Sequence, residues 1–139
     1  NHKQLLQAGI APGLGAWGYF ERQSQLSKEN ILREEYYVAV QTMYTPEWNL
    51  NLKELTSWYK YRRVLVVNPL NGKAIVAVIA DAGPARWTGK QFGGSPEVMN
   101  YLNLTDGRNR KKVLLWFIDG DAPLGPINCN LKIGQSIQI

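Results

Sequence analysis

Cysteine is nearly absent from this chain. Cys129 stands alone among 139 residues, so no internal disulfide can form and no Cys-x-x-Cys metal motif exists. A lone thiol argues neither for nor against an oxidising compartment, and Cys129 is expected to pack as a small apolar residue. Histidine is as scarce: His2, close to the first residue, is the only one. Cys-His or Ser-His nucleophilic pairs and His-based zinc sites are therefore not expected. Charged residues are only 19% of the chain, against 45% hydrophobic and 11% aromatic, a balance that excludes a disordered polyelectrolyte. No apolar run reaches the length of a membrane helix or a signal-peptide core. The sequence opens at Asn1 without methionine and reads as a trimmed piece, with any export signal expected upstream.

What remains is enough for one domain, since 139 residues with this apolar content can bury one sizeable core. The net charge of +5 favours anionic partners, whether nucleic acid, acidic lipid or an acidic wall polymer. Lys60, Arg62 and Arg63 form one short basic run, and Arg108, Arg110, Lys111 and Lys112 another. Runs of this length are commonly solvated turns or strand edges.

Along the chain, Ala8 to Gly18 is rich in glycine and small residues, so residues 1–20 are expected to form an extended lead-in to a domain spanning 21–139. Ser27, with Glu29 behind it, is placed to cap a short helix, and Tyr36 to Val40 is aromatic and β-branched, hence a strand. Leu50, Leu52, Leu55, Trp58 and Tyr59 suggest a second short helix opened by Asn51. Arg63 to Val67 and Lys73 to Ala80 are β-rich runs around an Asn68-Pro69-Leu70-Asn71-Gly72 turn, which predicts a hairpin. Asp81-Ala82-Gly83-Pro84 ends the second strand, and a glycine-rich loop follows through Gly93 and Gly94. Ser95-Pro96-Glu97 has the form of a helix start, with Val98, Met99 and Leu102 as its apolar face and Asn103 as its end. Lys112 to Ile118 is almost continuously apolar and predicts a strand buried on both faces, with Trp116 in the core; Trp58 is also expected in the core. A last strand is expected near Leu131 to Ile139. Several short strands with one small helix ahead of the final apolar strand favour a barrel over a βαβ sheet, which would need a longer crossover helix.

This order of strand, Asn-Pro-Leu-Asn-Gly-Lys turn, strand, Asp-Ala-Gly-Pro, glycine-rich loop, Ser-capped helix and apolar strand resembles the double-psi β-barrel of the rare lipoprotein A family, which is related to the expansins. The resemblance rests on Asn68, Asn71, Gly72 and Lys73, on Asp81, Ala82, Gly83 and Pro84, and on Gly89-Lys90 followed by Ser95. It covers about half the chain. It implies a mainly β fold, a six-stranded double-psi β-barrel with one or two short helices, acting on or binding cell-wall polysaccharide. The family's second aspartate falls at Gly93, and its histidine before the first hairpin has no counterpart. Of the acidic site residues, only Asp81 is retained.

Asp81, between an apolar strand and a Gly-Pro turn, is the candidate catalytic residue, a general acid on a glycosidic oxygen. The commoner role for aspartate in such a place is to accept backbone amide hydrogen bonds and hold the turn. Most glycosidases pair two carboxylates, whereas a lytic transglycosylase can work with one acid because the sugar's own hydroxyl closes an internal ether. Glu34, Glu35, Asp119 and Asp121 are candidate second carboxylates. Trp87, Trp17, Tyr19, Tyr36 and Tyr37 offer faces for stacking sugar rings, and Arg86 and Lys90 offer contacts to acidic or N-acetyl groups; Trp87, in the glycine-rich loop, is the best exposed candidate. Gly83 to Lys90 has five residues between its glycines and Gln91 where a Walker loop has Ser or Thr, so nucleotide binding is rejected there. Asn103-Leu104-Thr105 matches a glycosylation sequon, relevant only to a eukaryotic secreted chain.

The expectation is a secreted or cell-envelope domain that binds peptidoglycan or a related glycan without a cofactor or metal, with weak lytic transglycosylase activity if Asp81 is an acid. The alternative is a non-catalytic barrel that serves as a protein-interaction scaffold. Nucleic-acid binding is the least favoured reading, and the sequence sets no oligomeric state.

Overall fold

The computed structural model describes residues 27–105 and 112–128. Ser27 caps the first helix, α1 (Lys28–Glu35), by accepting a hydrogen bond from the Asn30 amide at 3.2 Å. The chain then forms β1 (Tyr37–Val40), a 3₁₀ turn (Thr42–Tyr44), α2 (Leu52–Tyr59), β2 (Arg63–Val67) and β3 (Ala74–Ala82). A second 3₁₀ turn (Arg86–Thr88) leads to β4 (Phe92–Gly94), α3 (Pro96–Tyr101), β5 (Leu114–Phe117) and β6 (Gly125–Ile127). The predicted hairpin is present: β2 and β3 pair antiparallel from Arg63 opposite Val78 to Val67 opposite Ala74.

The six strands make one mixed sheet in the order β4-β1-β3-β2-β5, with β6 also joined to β3. β1 runs parallel to β3, and the other pairs are antiparallel. β3 has β2 along one edge and shares the other between two partners, β6 beside Ala74 to Val76 and β1 beside Val78 to Ala82. Among the described residues no pairing joins β4 to β5, so the sheet stays open. The fold is thus mixed α/β, with a six-stranded sheet and a few short helices, and the mainly β expectation is corrected. Strand propensity is local, whereas closure depends on whether two edges meet, which no local pattern encodes.

One face of the sheet carries Val38, Val64, Val66, Ile75, Ala77 and Ile79, packed with Val98 and Leu102 from the α3 segment. The other face holds Val78 and Ala80, covered by Tyr37, Tyr61 and Leu124. α3 begins as its sequence predicts, with Pro96 in the first turn and the Ser95 hydroxyl accepting from the Val98 amide at 3.2 Å. Its end is a Schellman motif. Asn103 takes a left-handed φ of 60°, its amide donates to Asn100 O, and the Leu104 amide donates to Met99 O at 2.8 Å.

Three further expectations change. The run from Lys112 to Ile118 is not buried on both faces: β5 pairs only with β2 among the described residues, and Leu114, Trp116 and Phe117 are 47%, 49% and 52% exposed. An apolar run marks a strand but not its place in the sheet. Trp58 is likewise an exposed side chain, 46% accessible on α2. Gly93-Gly94, expected in a loop, lies in β4, because glycine gives no β signal even where the sheet requires one. A Cβ on Gly94 would stand 3.0 Å from Tyr37 O and 3.3 Å from Val98 Cγ1, so the close approach of β4 to β1 and α3 needs glycine there. A strand no sequence pattern marked, β6, contains Pro126 opposite Ile75, a proline tolerated because among the described residues this short strand pairs with β3 alone. The lead-in over 1–20, Cys129 and the strand expected near Leu131 to Ile139 lie outside the described residues.

Candidate functional site around Asp81 and Tyr37

Asp81 owes its position to one irregularity. Tyr37 stands opposite Val78 and Val38 opposite Ile79, but the next pair is Ala39 with Asp81, so the register skips Ala80. Neighbours across paired strands share a face, and successive residues alternate. With regular pairing Asp81 would stand beside Val40, whose side chain packs on the main core. The skipped residue instead puts Asp81 on the face of Ala39 and Tyr37, half-buried, which is how a bulge re-aims a side chain. On the other side of β1, Ala39 pairs with Gly93. Gly93, Ala39 and Asp81 therefore form one row across three strands. Gly93 faces the same way as Asp81 but has no side chain.

Tyr37 has a distinctive environment. Burial raises its phenol above the ordinary value of 10.0, and the nearby carboxylates of Asp81, Glu97 and Glu34 raise it further, since each disfavours a phenolate. These three acids come from β3, from the first turn of α3 and from the last turn of α1, and they converge only in the fold. Glu34 was a candidate second carboxylate in the sequence and is brought toward Asp81 through Tyr37. Glu97 was read only as a helix-start acid. Asp119 and Asp121 instead line a depression of about 560 Å³ with Leu65, Val76 and Leu124. No group of three or more metal-ligating side chains is assembled among the described residues.

Beyond Asp81 the chain turns away through Gly83, whose amide donates to Val40 O at 3.0 Å. The loop to Lys90 is held from outside by Gln41, whose Nε2 donates to Pro84 O at 2.9 Å and to Lys90 O at 3.1 Å. Tyr44 adds a second anchor, its hydroxyl accepting from the Arg86 amide at 2.9 Å while its ring lies 4.6 Å under the Arg86 guanidinium. Within the loop, Thr88 Oγ1 donates to Ala85 O at 2.6 Å and accepts from the Lys90 amide at 3.1 Å. Trp87 projects from this braced segment with 89% of its surface exposed, as its glycine-rich setting suggested. Gln41 and Tyr44 carried no motif, so only the folded chain identifies them as supports. Trp17 and Tyr19, the other stacking candidates, lie outside the described residues.

The Asn68-x-x-Asn71-Gly72 turn does structural work. Asn68 Nδ2 and Asn71 Nδ2 both donate to Leu102 O, at 2.7 and 3.1 Å, tying the hairpin turn to the end of α3. Asn68 Oδ1 accepts from the Leu70 amide at 3.0 Å, and Gly72 supplies the positive φ of 72° that closes the turn.

No helix among the described residues is long and apolar enough to cross a membrane. Set against known protein families, curated proteins and solved structures, the chain matches none.

Proposed function

We propose that the chain is a glycan-binding domain of the cell envelope, built on the plan of the double-psi β-barrel of the rare lipoprotein A family, with peptidoglycan as its ligand. The observation that carries this reading is the row of Gly93, Ala39 and Asp81, because the bulge in β3 lifts Asp81 out of the main core onto the face of Tyr37. A purely turn-holding aspartate needs no such re-aiming. The braced loop that follows supplies an exposed indole on Trp87 and cations on Arg86 and Lys90, which suit a sugar face and its acidic substituents. Binding is favoured over cleavage, since Gly93 leaves the row with one carboxylate. If the chain cleaves, Asp81 is the acid of a lytic transglycosylase, which needs no second one.

Retention on purified peptidoglycan at low salt, with mass analysis for anhydro-sugar products, tests the reading. Retention that weakens in Trp87→Ala supports binding, and loss of products in a folded Asp81→Asn variant supports catalysis. Failure of the wild-type chain to be retained rejects both.

A protein-interaction scaffold is the second reading, favoured by the exposed apolar side chains of Leu114, Trp116 and Phe117 on β5. It predicts capture of a protein partner that Trp116→Ser abolishes and Trp87→Ala does not.

A further inference from the structure

The basic run at Lys60, Arg62 and Arg63, unremarkable in the sequence, closes around a depression of about 580 Å³ between the end of α2 and β5. Lys60, Tyr61, Arg62 and Arg63 line it together with Trp58 of α2, and Phe117 comes from β5, the strand paired with β2. Trp58 and Phe117 meet edge to face, with ring centroids 5.4 Å apart and an interplanar angle of 69°. The Arg62 guanidinium lies 3.8 Å from the centroid of the Trp58 ring.

Each arginine is anchored by one edge only. Arg62 Nε donates to Trp58 O at 2.5 Å, and Arg63 Nε donates to Gly120 O at 2.6 Å. A guanidinium held through Nε keeps both terminal amino groups on a fixed plane, the fork that matches two oxygens of a phosphate. Among the described residues the structure gives those terminal groups no acceptor, and no carboxylate lies within ion-pair distance of Lys60, Arg62 or Arg63. Cations at a helix C-terminus are stabilised by its carbonyls, and Lys60 caps α2. That accounts for the Nε of Arg62, and the Tyr61 ring takes the Lys60 ammonium at 5.0 Å, but neither gives the terminal amino groups of Arg62 and Arg63 an acceptor.

We infer that this depression is an anion site for a phosphate ester carrying a flat-faced ring, with the phosphate on Arg62 and Arg63 and the ring against Trp58 and Phe117. The ring can be a sugar or a nucleobase; the cations and aromatic faces recognise the chemistry the two share. The site lies apart from Asp81 and Trp87 and does not depend on the glycan reading.

The test is titration of the full chain with inorganic phosphate, N-acetylglucosamine 1-phosphate, adenosine monophosphate and uncharged N-acetylglucosamine. Calorimetry reads affinity, and amide shifts read location. Both esters, or one of them, are expected to bind more tightly than inorganic phosphate, shifting amides at Lys60 to Arg63 and Phe117 to Gly120; the tighter ester identifies the source. Arg62→Gln with Arg63→Gln is expected to weaken binding about tenfold or more, as loss of charge-assisted forks should. Lys60→Gln, which alters one exposed side chain and removes one of the three cations around the depression, is expected to weaken it several-fold, and it keeps the test decisive where the double variant folds poorly. Lys53→Gln, outside the depression, is expected to change nothing. Equal affinity for uncharged N-acetylglucosamine, no preference for either ester over inorganic phosphate, undiminished binding in Lys60→Gln, or shifts confined to other residues would overturn the inference.

Discussion

Ala39 pairs with Asp81 because β3 carries one residue more than β1 at this point. That extra residue moves a carboxylate from the core side of the sheet to the side of Tyr37. It also aligns Asp81 with Gly93 on the far edge of β1, two strand spacings away, or roughly 10 Å between backbones.

Gly93 and Gly94 should respond unequally to substitution, although they are neighbours. A Cβ on Gly93 meets only Ala39 Cβ, at 3.8 Å, whereas one on Gly94 meets Tyr37 O at 3.0 Å. Gly93→Asp is expected to change unfolding free energy by less than about 1 kcal/mol, since removing a strand glycine offsets the new charge. Gly94→Ala is expected to cost about 1–3 kcal/mol by forcing β1 and β4 apart. Urea denaturation of both variants decides it, and the reverse order would contradict the assignment of faces.

Tyr37 should make stability fall at high pH. Its folded value lies above the ordinary 10.0, so beyond that pH the native state keeps a proton that the unfolded chain has lost. The contribution is fully present below pH 10 and is lost as pH rises through the folded value. Tyr37→Phe is expected to flatten the decline of stability above pH 10 while leaving the slope near neutrality unchanged. Unfolding midpoints measured from pH 7 to 11 check this, and an unchanged alkaline slope refutes it.

Asn68 is expected to matter more than Asn71 for stability. Both side chains donate to Leu102 O and accept one backbone amide, from Leu70 for Asn68 and from Lys73 for Asn71, but Asn68 is buried and Asn71 is exposed. Asn68→Ala should cost about 1–3 kcal/mol, the range for leaving buried polar groups unsatisfied. Asn71→Ala should cost less, because Asn68 still serves Leu102 O. Thermal unfolding of the two variants measures the difference.

Gln41 is expected to support the Trp87 loop at a distance. Gln41→Ala removes two hydrogen bonds, to Pro84 O and Lys90 O. It should cost about 1–2 kcal/mol and speed amide exchange at Thr88 to Lys90 before it affects β2 or β3. Trp87→Ala, by contrast, should stay within about 0.5 kcal/mol of wild type, because the side chain is almost wholly in solvent. Hydrogen exchange with mass analysis separates the two effects.

Much of this molecule was legible residue by residue. The caps at Ser27 and Ser95, the turn at Asn71-Gly72, the β2–β3 hairpin and the helix end at Asn103 follow from local backbone preferences, and local energies set them wherever they occur. The exposure of Trp87 followed from its loop in the same way. Four features did not. The edge position of β5 and the open sheet depend on which strands find partners, and the approach of Glu34 and Glu97 to Tyr37 depends on how α1 and α3 pack. The face of Asp81 depends on a single skipped residue. Alternation along β3 would have turned this carboxylate toward the core, and only its pairing with a shorter-stepped β1 turned it out, because a strand's register belongs to two strands and neither carries it alone.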